Sequence, residues 1–268
     1  MKNKIVVATD LTEAGHEAVR QAVTIAGKGK IDMLLLHILD NRSPATDEVQ
    51  HKLEEESLLA ANQSGQDCQY LIKEGAVFET LTNVACENDF SLMVIATHGL
   101  RGIRQKLTGP DILRLVVKLP LPVLVVPEHA KLVDSFDKIV LPVSSHDSFQ
   151  PAIDAMSFFS RIFNTEIHLY SVYKQGFEWP KQLIINIESA TEQFEKNGVR
   201  LKRVKEDQTI YSLGYARQTL KYAETISADS ICIMSAQSKD YYYFAQSDKE
   251  SILLNELNLP VLCVGGGE

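Results

Sequence analysis

Short apolar runs recur along the chain, separated by longer stretches in which apolar positions fall three and four apart. In the first half the runs predict strands near residues 3–9, 32–38, 68–73, 91–97 and 122–126. The runs are continuous and do not alternate with polar positions, as expected of strands covered on both faces. Between them, residues 12–27 place Ala14, Ala18, Val19, Ala22, Val23 and Ala26 at helical spacing, and Thr12 is positioned to cap that helix. Residues 45–62 predict a more polar helix, 78–88 a third and 111–118 a fourth. Strand–helix alternation of this kind predicts an α/β fold with a doubly wound parallel sheet, helices on both faces and right-handed crossovers.

The pattern is written twice. Lys4-Ile5-Val6-Val7-Ala8-Thr9-Asp10 lines up with Lys138-Ile139-Val140-Leu141-Pro142-Val143-Ser144 at an offset of 134. Met33-Leu34-Leu35-Leu36-His37-Ile38 matches Ile167-His168-Leu169-Tyr170-Ser171-Val172 at the same offset. Leu92-Met93-Val94-Ile95-Ala96 matches Ile231-Cys232-Ile233-Met234-Ser235, and Pro122-Val123-Leu124-Val125-Val126 matches Pro260-Val261-Leu262-Cys263-Val264. A solenoid repeats every 20–50 residues, so so long a period means tandem domains. Two five-stranded sheets are expected, in domains 1–130 and 136–268, with the polar segment 127–137 between them.

Charge and composition narrow the function classes. The formal charge is −8, with 14 Lys and Arg against 18 Asp and Glu in residues 1–134 and 13 against 17 in the rest. Neither half supplies the basic footprint that nucleic-acid binding through broad electrostatics needs. No apolar run approaches the roughly 20 residues of a membrane helix, and the first residues enter a strand pattern without a signal-peptide core. Cys68, Cys86, Cys232 and Cys263 are scattered without a C-x-x-C, which fits free thiols in a cytoplasmic protein.

In doubly wound sheets ligands bind beyond the carboxyl ends of the strands, where strand order reverses. That directs attention to residues 9–12, 38–41 and 96–109. The last reads Ala96-Thr97-His98-Gly99-Leu100-Arg101-Gly102-Ile103-Arg104-Gln105-Lys106-Leu107-Thr108-Gly109, followed by Pro110 and a helix. Glycines admit close approach of backbone N–H groups, the helix start adds unpaired donors, and Arg101, Arg104 and Lys106 add positive charge. Three glycines in a loop are also ordinary turn punctuation. Asp10, at a strand end, can accept N–H or O–H bonds from a ligand or can serve the first helix as a cap. Thr12 competes for that cap and leaves Asp10 freer.

With these residues in view, each half resembles a universal stress protein domain. The resemblance rests on the opening strand ending in Asp10, the second strand through Leu35-Leu36-His37-Ile38-Leu39, the strand running into Thr97-His98-Gly99, and the closing Pro122-Val123-Leu124-Val125-Val126. It covers nearly the whole chain, twice. It implies a Rossmann-like sheet of the adenine-nucleotide alpha-hydrolase kind. Family members pair through their last strands, so the two halves are expected to form an intrachain pseudo-dimer, with a homodimer of whole chains as a further level. The resemblance also implies ATP, ADP or AMP as ligand. Asp10 would meet adenine or ribose, and Ala8, Thr9 and Ile38 would wall the base. Ala96, His98, Gly99, Arg101, Gly109 and Pro110 would stand along the phosphates. ATP-binding members carry Gly-x-x-Gly, nine residues, then Gly and Ser or Thr. Here Ala96 replaces the first glycine and Pro110 the hydroxyl residue. Pro110 removes a hydroxyl and an N–H from the anion cradle, and Asp111 adds negative charge there, which favours fewer phosphates.

The second half departs further. Ser144 stands where Asp10 stood, and Ser235-Ala236-Gln237-Ser238 where residues 96–99 stood. No glycine lies between Ser238 and Asn255, and Tyr241-Tyr242-Tyr243-Phe244 fills the place of the phosphate loop. This half is expected to be structural, with the aromatic run a lid over a vacated cleft or a contact for a partner. The seven histidines show no metal spacing. His37 and His168, inside strands, read as packed and hydrogen-bonded. Glu54-Glu55-Glu56 reads as a solvated helix face, and Trp179 as a helix-entry or core aromatic. With no dedicated base or metal-binding carboxylate pair, at most slow ATP hydrolysis is expected. The sequence therefore points to a stress-response module binding an adenine nucleotide in its first half and signalling to a protein partner. The competing reading is an interaction scaffold that binds no nucleotide.

Overall fold

The computed structural model describes residues 4–39, 46–97, 109–130, 134–173, 178–207, 215–236 and 245–265. The chain divides into two compact units, residues 1–134 and 135–265. The division falls inside the polar segment 127–137.

In the first unit the elements run β1 (Lys4–Ala8), α1 (Glu13–Gly29), β2 (Asp32–Leu39), α2 (Thr46–Ser64), β3 (Cys68–Glu74), α3 (Val77–Glu87), β4 (Leu92–Ala96), α4 (Gly109–Lys118) and β5 (Val123–Val126). The strands lie in the order β3-β2-β1-β4-β5, all neighbours parallel. Every residue of β4 and β5 is buried, as are the last four of β1. Burying such Val, Ile and Leu side chains stabilises by about 1.5–3 kcal/mol each. Helix α1 packs on the sheet through Ala14, Ala18, Ala22 and Ala26, which are all buried and let the helix axis lie close to the strands. Thr12 caps α1 by accepting from the Gly15 N–H, and Lys30, in the left-handed region at φ 53°, ends it by donating its N–H to the Ala26 carbonyl. One expectation fails: β3 is not covered on both faces. No residue of it is fully buried, because it closes the sheet order of this unit and its apolar run is diluted by Gln69, Lys73 and Glu74.

The second unit runs β6 (Lys138–Pro142), α5 (Gln150–Phe163), β7 (Glu166–Tyr173), α6 (Lys181–Lys196), β8 (Arg200–Asp207), α7 (Tyr215–Thr225), β9 (Ser230–Met234), α8 (Gln246–Leu253) and β10 (Val261–Val264). Its strand order, β8-β7-β6-β9-β10, is again parallel throughout. The core gains an aromatic cluster, with the Phe136 ring 5.1 Å from Phe159 and 5.3 Å from Phe163. Strand order reverses between β1 and β4 in one unit and between β6 and β9 in the other, so the carboxyl ends of those pairs are where a ligand would sit. Among the described residues, no helix is long and apolar enough to cross a membrane.

Candidate functional site

At the carboxyl edge of the first sheet, the parallel register sets Ala8 beside Leu36 on β2 and Ile95 on β4. Thr9 continues the ladder by donating its N–H to the Leu36 carbonyl at 3.0 Å. The Thr9 carbonyl accepts from His37 Nδ1 at 2.9 Å, so His37 is a buried structural donor, as its position inside a strand implied. Ala8, Thr9, Asp10, Ile38 and Ala96 are all buried along this edge. Gly109 and Pro110 open α4, with Asp111 in its first turn. The structure therefore gathers Ala8, Thr9, Asp10, Ile38 and Ala96 at one edge. His98, Gly99 and Arg101, with Arg104 and Lys106, lie outside the described residues.

Asp10 is 5% exposed. Its Oδ1 accepts from the Thr12 N–H at 3.0 Å and from the Thr12 hydroxyl at 2.5 Å. Its Oδ2 is buried and has no partner among the described residues. The expectation that Thr12 would take the cap and free Asp10 is half correct: Thr12 is the cap, and one oxygen of Asp10 anchors it. The other oxygen is a buried acceptor without a bond, a costly state for a carboxylate. Leu11, at φ 62°, carries the turn through the left-handed region, and its N–H reaches Thr9 Oγ1 at 3.2 Å. Held backbone strain of this kind concentrates at functional turns.

The residue that sequence reasoning passed over is Gly15. A Cβ there would lie 2.8 Å from Thr9 Oγ1, 3.0 Å from Asp10 Oδ1 and 3.2 Å from the Asp10 nitrogen. Only glycine lets the first turn of α1 press against the exit of β1. The available signal was a glycine inside a helical stretch, which usually has a packing reason.

The matching edge of the second unit is built from different atoms. Ser144 Oγ and His146 Nδ1 are 2.6 Å apart, and His146 Nε2 is 2.8 Å from the Ala236 carbonyl. A carbonyl only accepts, so Nε2 carries the proton and Nδ1 accepts from the Ser144 hydroxyl. Asn186, from α6, donates to the carbonyls of Ser144 and His146 at 2.8 and 2.9 Å. Lys249, from α8, is 2% exposed and donates to the Ala236 carbonyl and, at 3.5 Å, to Ser235. Burial pushes the His146 imidazole down to about 4, helped by the nearby Lys249 charge, so the ring is neutral. Burial also brings the Lys249 ammonium down to about 8, against an upward pull from Cys263. His146, Asn186 and Lys249 thus fill the edge where Asp10 and its neighbours stand in the first unit. The aromatic run 241–244 lies outside the described residues.

Elsewhere, His168 is packed as expected, its ring nitrogens 2.7 Å from the Tyr222 hydroxyl and 2.8 Å from Glu166 Oε1. Trp179 stands at the entry to α6 and donates to the Val172 carbonyl at 3.2 Å. Glu54 and Glu55 are exposed, but Glu56 is not part of a solvated face: its side chain is 9% exposed and meets His16 Nδ1 at 2.5 Å. All four cysteines are free thiols.

The profile of the universal stress protein family matches residues 1–127. Among solved structures, a universal stress protein from Archaeoglobus fulgidus is similar over 99% of this chain and 97% of its own, with TM-score 0.71 and 15% identity. A protein from Pseudomonas aeruginosa described as a universal stress protein is similar over 99% of this chain and 94% of its own, with TM-score 0.62 and 13% identity. Comparison with curated proteins gave no significant match. At such identities the structural likeness speaks for the fold, and the family match for the sequence of the first half. Residues 1–127 thus match the universal stress protein family in sequence, and the α/β fold seen in its solved members is present in two tandem units of this chain.

Proposed function

We propose that the first unit binds an adenine nucleotide at the carboxyl edge of β1, β2 and β4, and that the second unit is its structural partner without a nucleotide site. The observation that carries this reading is Asp10: a carboxylate 5% exposed, one oxygen fixed by Thr12 and the other buried without a partner among the described residues. It stands at the point where the strand order reverses. A ribose hydroxyl or an adenine amino group would supply the missing donor. Ala8, Thr9 and Ile38 supply small and apolar surface beside it, which suits the base. The residues present fit the adenosine end better than a long phosphate tail. Pro110 lacks an N–H at the start of α4 and Asp111 carries negative charge in its first turn. By family resemblance Gly99 and Gly109 would cradle the phosphates, Arg101 would add positive charge beside them, and His98 would donate to a phosphate or to neighbouring backbone. The reading therefore favours AMP or ADP over ATP. Its biological role is that of a ligand-responsive module in stress response, acting through a partner protein that distinguishes bound from free forms. The second reading, a scaffold without nucleotide, draws on Pro110, Asp111 and the aromatic run Tyr241-Tyr242-Tyr243-Phe244.

Calorimetric titration with AMP, ADP and ATP tests the proposal. Saturable binding below millimolar is expected. Asp10→Asn keeps an oxygen for Thr12 and replaces the unpartnered acceptor by an amide donor, so affinity should fall about tenfold or more. Absence of binding to all three nucleotides, or an Asp10→Asn protein that binds as well as wild type, would reject it in favour of the scaffold.

A further inference from the structure

A cavity lies in the first unit on the α1–α2 side, with Leu11 of the β1–α1 turn at its border. It is a groove of about 510 Å³ lined by α1 and α2, with Leu11, Val19, Leu59 and Ala60 as apolar wall and His16, Arg20, Lys52, Glu55, Glu56 and Gln63 as polar lining. That volume lies in the range of small-molecule sites. Its lining sets Arg20 and Lys52 against Glu55 and Glu56. Arg20 is already held by Glu13 and Glu17, and Lys52 by Glu48. The two lining carboxylates meet only histidines: Glu55 lies 3.4 Å from His51, and Glu56 lies 2.5 Å from His16. Both lining cations thus have carboxylate partners from outside the groove, while both lining carboxylates meet only histidines. Glu56 is the more telling of the two. Its side chain is 91% buried, Oε1 is taken by His16, and Oε2 is buried with no partner among the described residues. A carboxylate oxygen held out of water without a donor is unfavourable, and the groove that Glu56 lines is where a donor would arrive.

We infer that this groove is a binding site for a small organic cation, a primary ammonium on a short apolar body. The ammonium would bond Glu56 and be balanced by Glu55, while the body lies along Leu11, Val19, Leu59 and Ala60. Leu59 is 57% exposed although it is a leucine, and an apolar ligand body would cover it. A bare metal ion fits poorly, since no cluster of three or more His, Cys, Asp or Glu suited to one occurs among the described residues. The inference does not depend on nucleotide binding.

The test is titration of the whole protein with hexylammonium, followed by amide chemical shifts, beside hexanoate and hexanol with the same tail. Saturable shifts confined to α1 and α2 are expected for hexylammonium, and none for the other two at equal concentration. Glu56→Gln should weaken the binding at least about tenfold by removing the charged acceptor. Leu59→Lys sets a competing ammonium on an exposed wall position without touching the core and should abolish it, which keeps the test decisive if Glu56→Gln fails to fold. Asp10→Asn should leave it unchanged, so failure here and failure of the nucleotide reading are separable. Equal shifts from all three probes, no saturation, or unaltered binding in Leu59→Lys would overturn the inference, leaving Glu56 and His16 as a helix-to-helix contact only.

Discussion

The two units share a period but not an edge. Helices α1 and α5 end alike, on left-handed Lys30 at φ 53° and Asn164 at φ 55°, 134 residues apart. They begin differently: α1 has 17 residues and starts at Glu13, whereas α5 has 14 and starts at Gln150. The first turn present in the front copy is loop in the rear one. The residue facing this difference is Gly15 in the first unit and, at the same offset of 134, Phe149 in the second. Phe149 is 3% exposed. A bare Cβ at Gly15 would already crowd the Asp10 nitrogen at 3.2 Å, so a phenylalanine cannot take that place with the helix turn closed. The segment between β6 and α5 is longer and folds inward, bringing His146 to the edge under Asn186 and Lys249. Side-chain volume at this position thus accompanies the closed or open first helical turn, while the carboxylate itself is lost with Ser144 in place of Asp10.

The largest expected effect follows directly. Gly15→Phe should destabilise the first unit by more than about 4 kcal/mol, the range of severe overpacking against backbone, and Gly15→Ala by about 1–2 kcal/mol, since the gain in helix propensity offsets part of the clash. Urea unfolding measures both. A Gly15→Phe protein within 1 kcal/mol of wild type would mean that the first turn of α1 is not set by this contact.

The rear edge carries a pH signature. His146 is held near 4 in the folded protein, against about 6.5 for an unfolded histidine. Between those values the unfolded chain binds the extra proton, so the contribution is complete above pH 6.5 and is lost as pH falls towards 4. The amount is on the order of 3 kcal/mol. His146→Gln keeps a donor for Ala236 and an acceptor for Ser144 but does not titrate. The stability difference between wild type and this variant should therefore shrink or reverse from pH 7 to pH 4.5. A difference constant across that range would show that His146 is not neutral and enclosed.

Much of this could be read from residues alone, and the exceptions share a cause. β1, β2, β4 and β5 announce themselves by unbroken apolar runs, and Thr12 by its place before the helical spacing. Asp10 stands out because a strand ends on it. Gly15 does not, because a helical pattern records which positions are apolar, not which must be absent of side chain. Glu56 reads as solvent-facing among its acidic neighbours, since only the packing of α2 on α1 shows that it meets His16. His146 is invisible in the same way: its partners Asn186 and Ala236 are 40 and 90 residues distant. Local pattern carries secondary structure, while the contents of each edge depend on contacts far apart in the chain.

The smallest effect isolates the turn itself. Leu11 sits at φ 62°, and its counterpart Ser145 is not among the described residues with positive φ. Leu11→Ala and Leu11→Gly remove the same side-chain packing but differ in the Cβ. In the left-handed region that Cβ costs about 1–2 kcal/mol, while glycine loses about 0.5–1 kcal/mol more chain entropy on folding. The glycine variant should therefore be the more stable of the pair by about 0.5–1 kcal/mol. At Ser145 both substitutions delete the hydroxyl and no Cβ strain exists, so alanine should be the more stable by a similar margin. Calorimetric melting of the four variants reads the two differences, and opposite signs are the expected result. Equal signs would mean that the left-handed turn after Asp10 costs nothing, and that the front edge is no more strained than the rear.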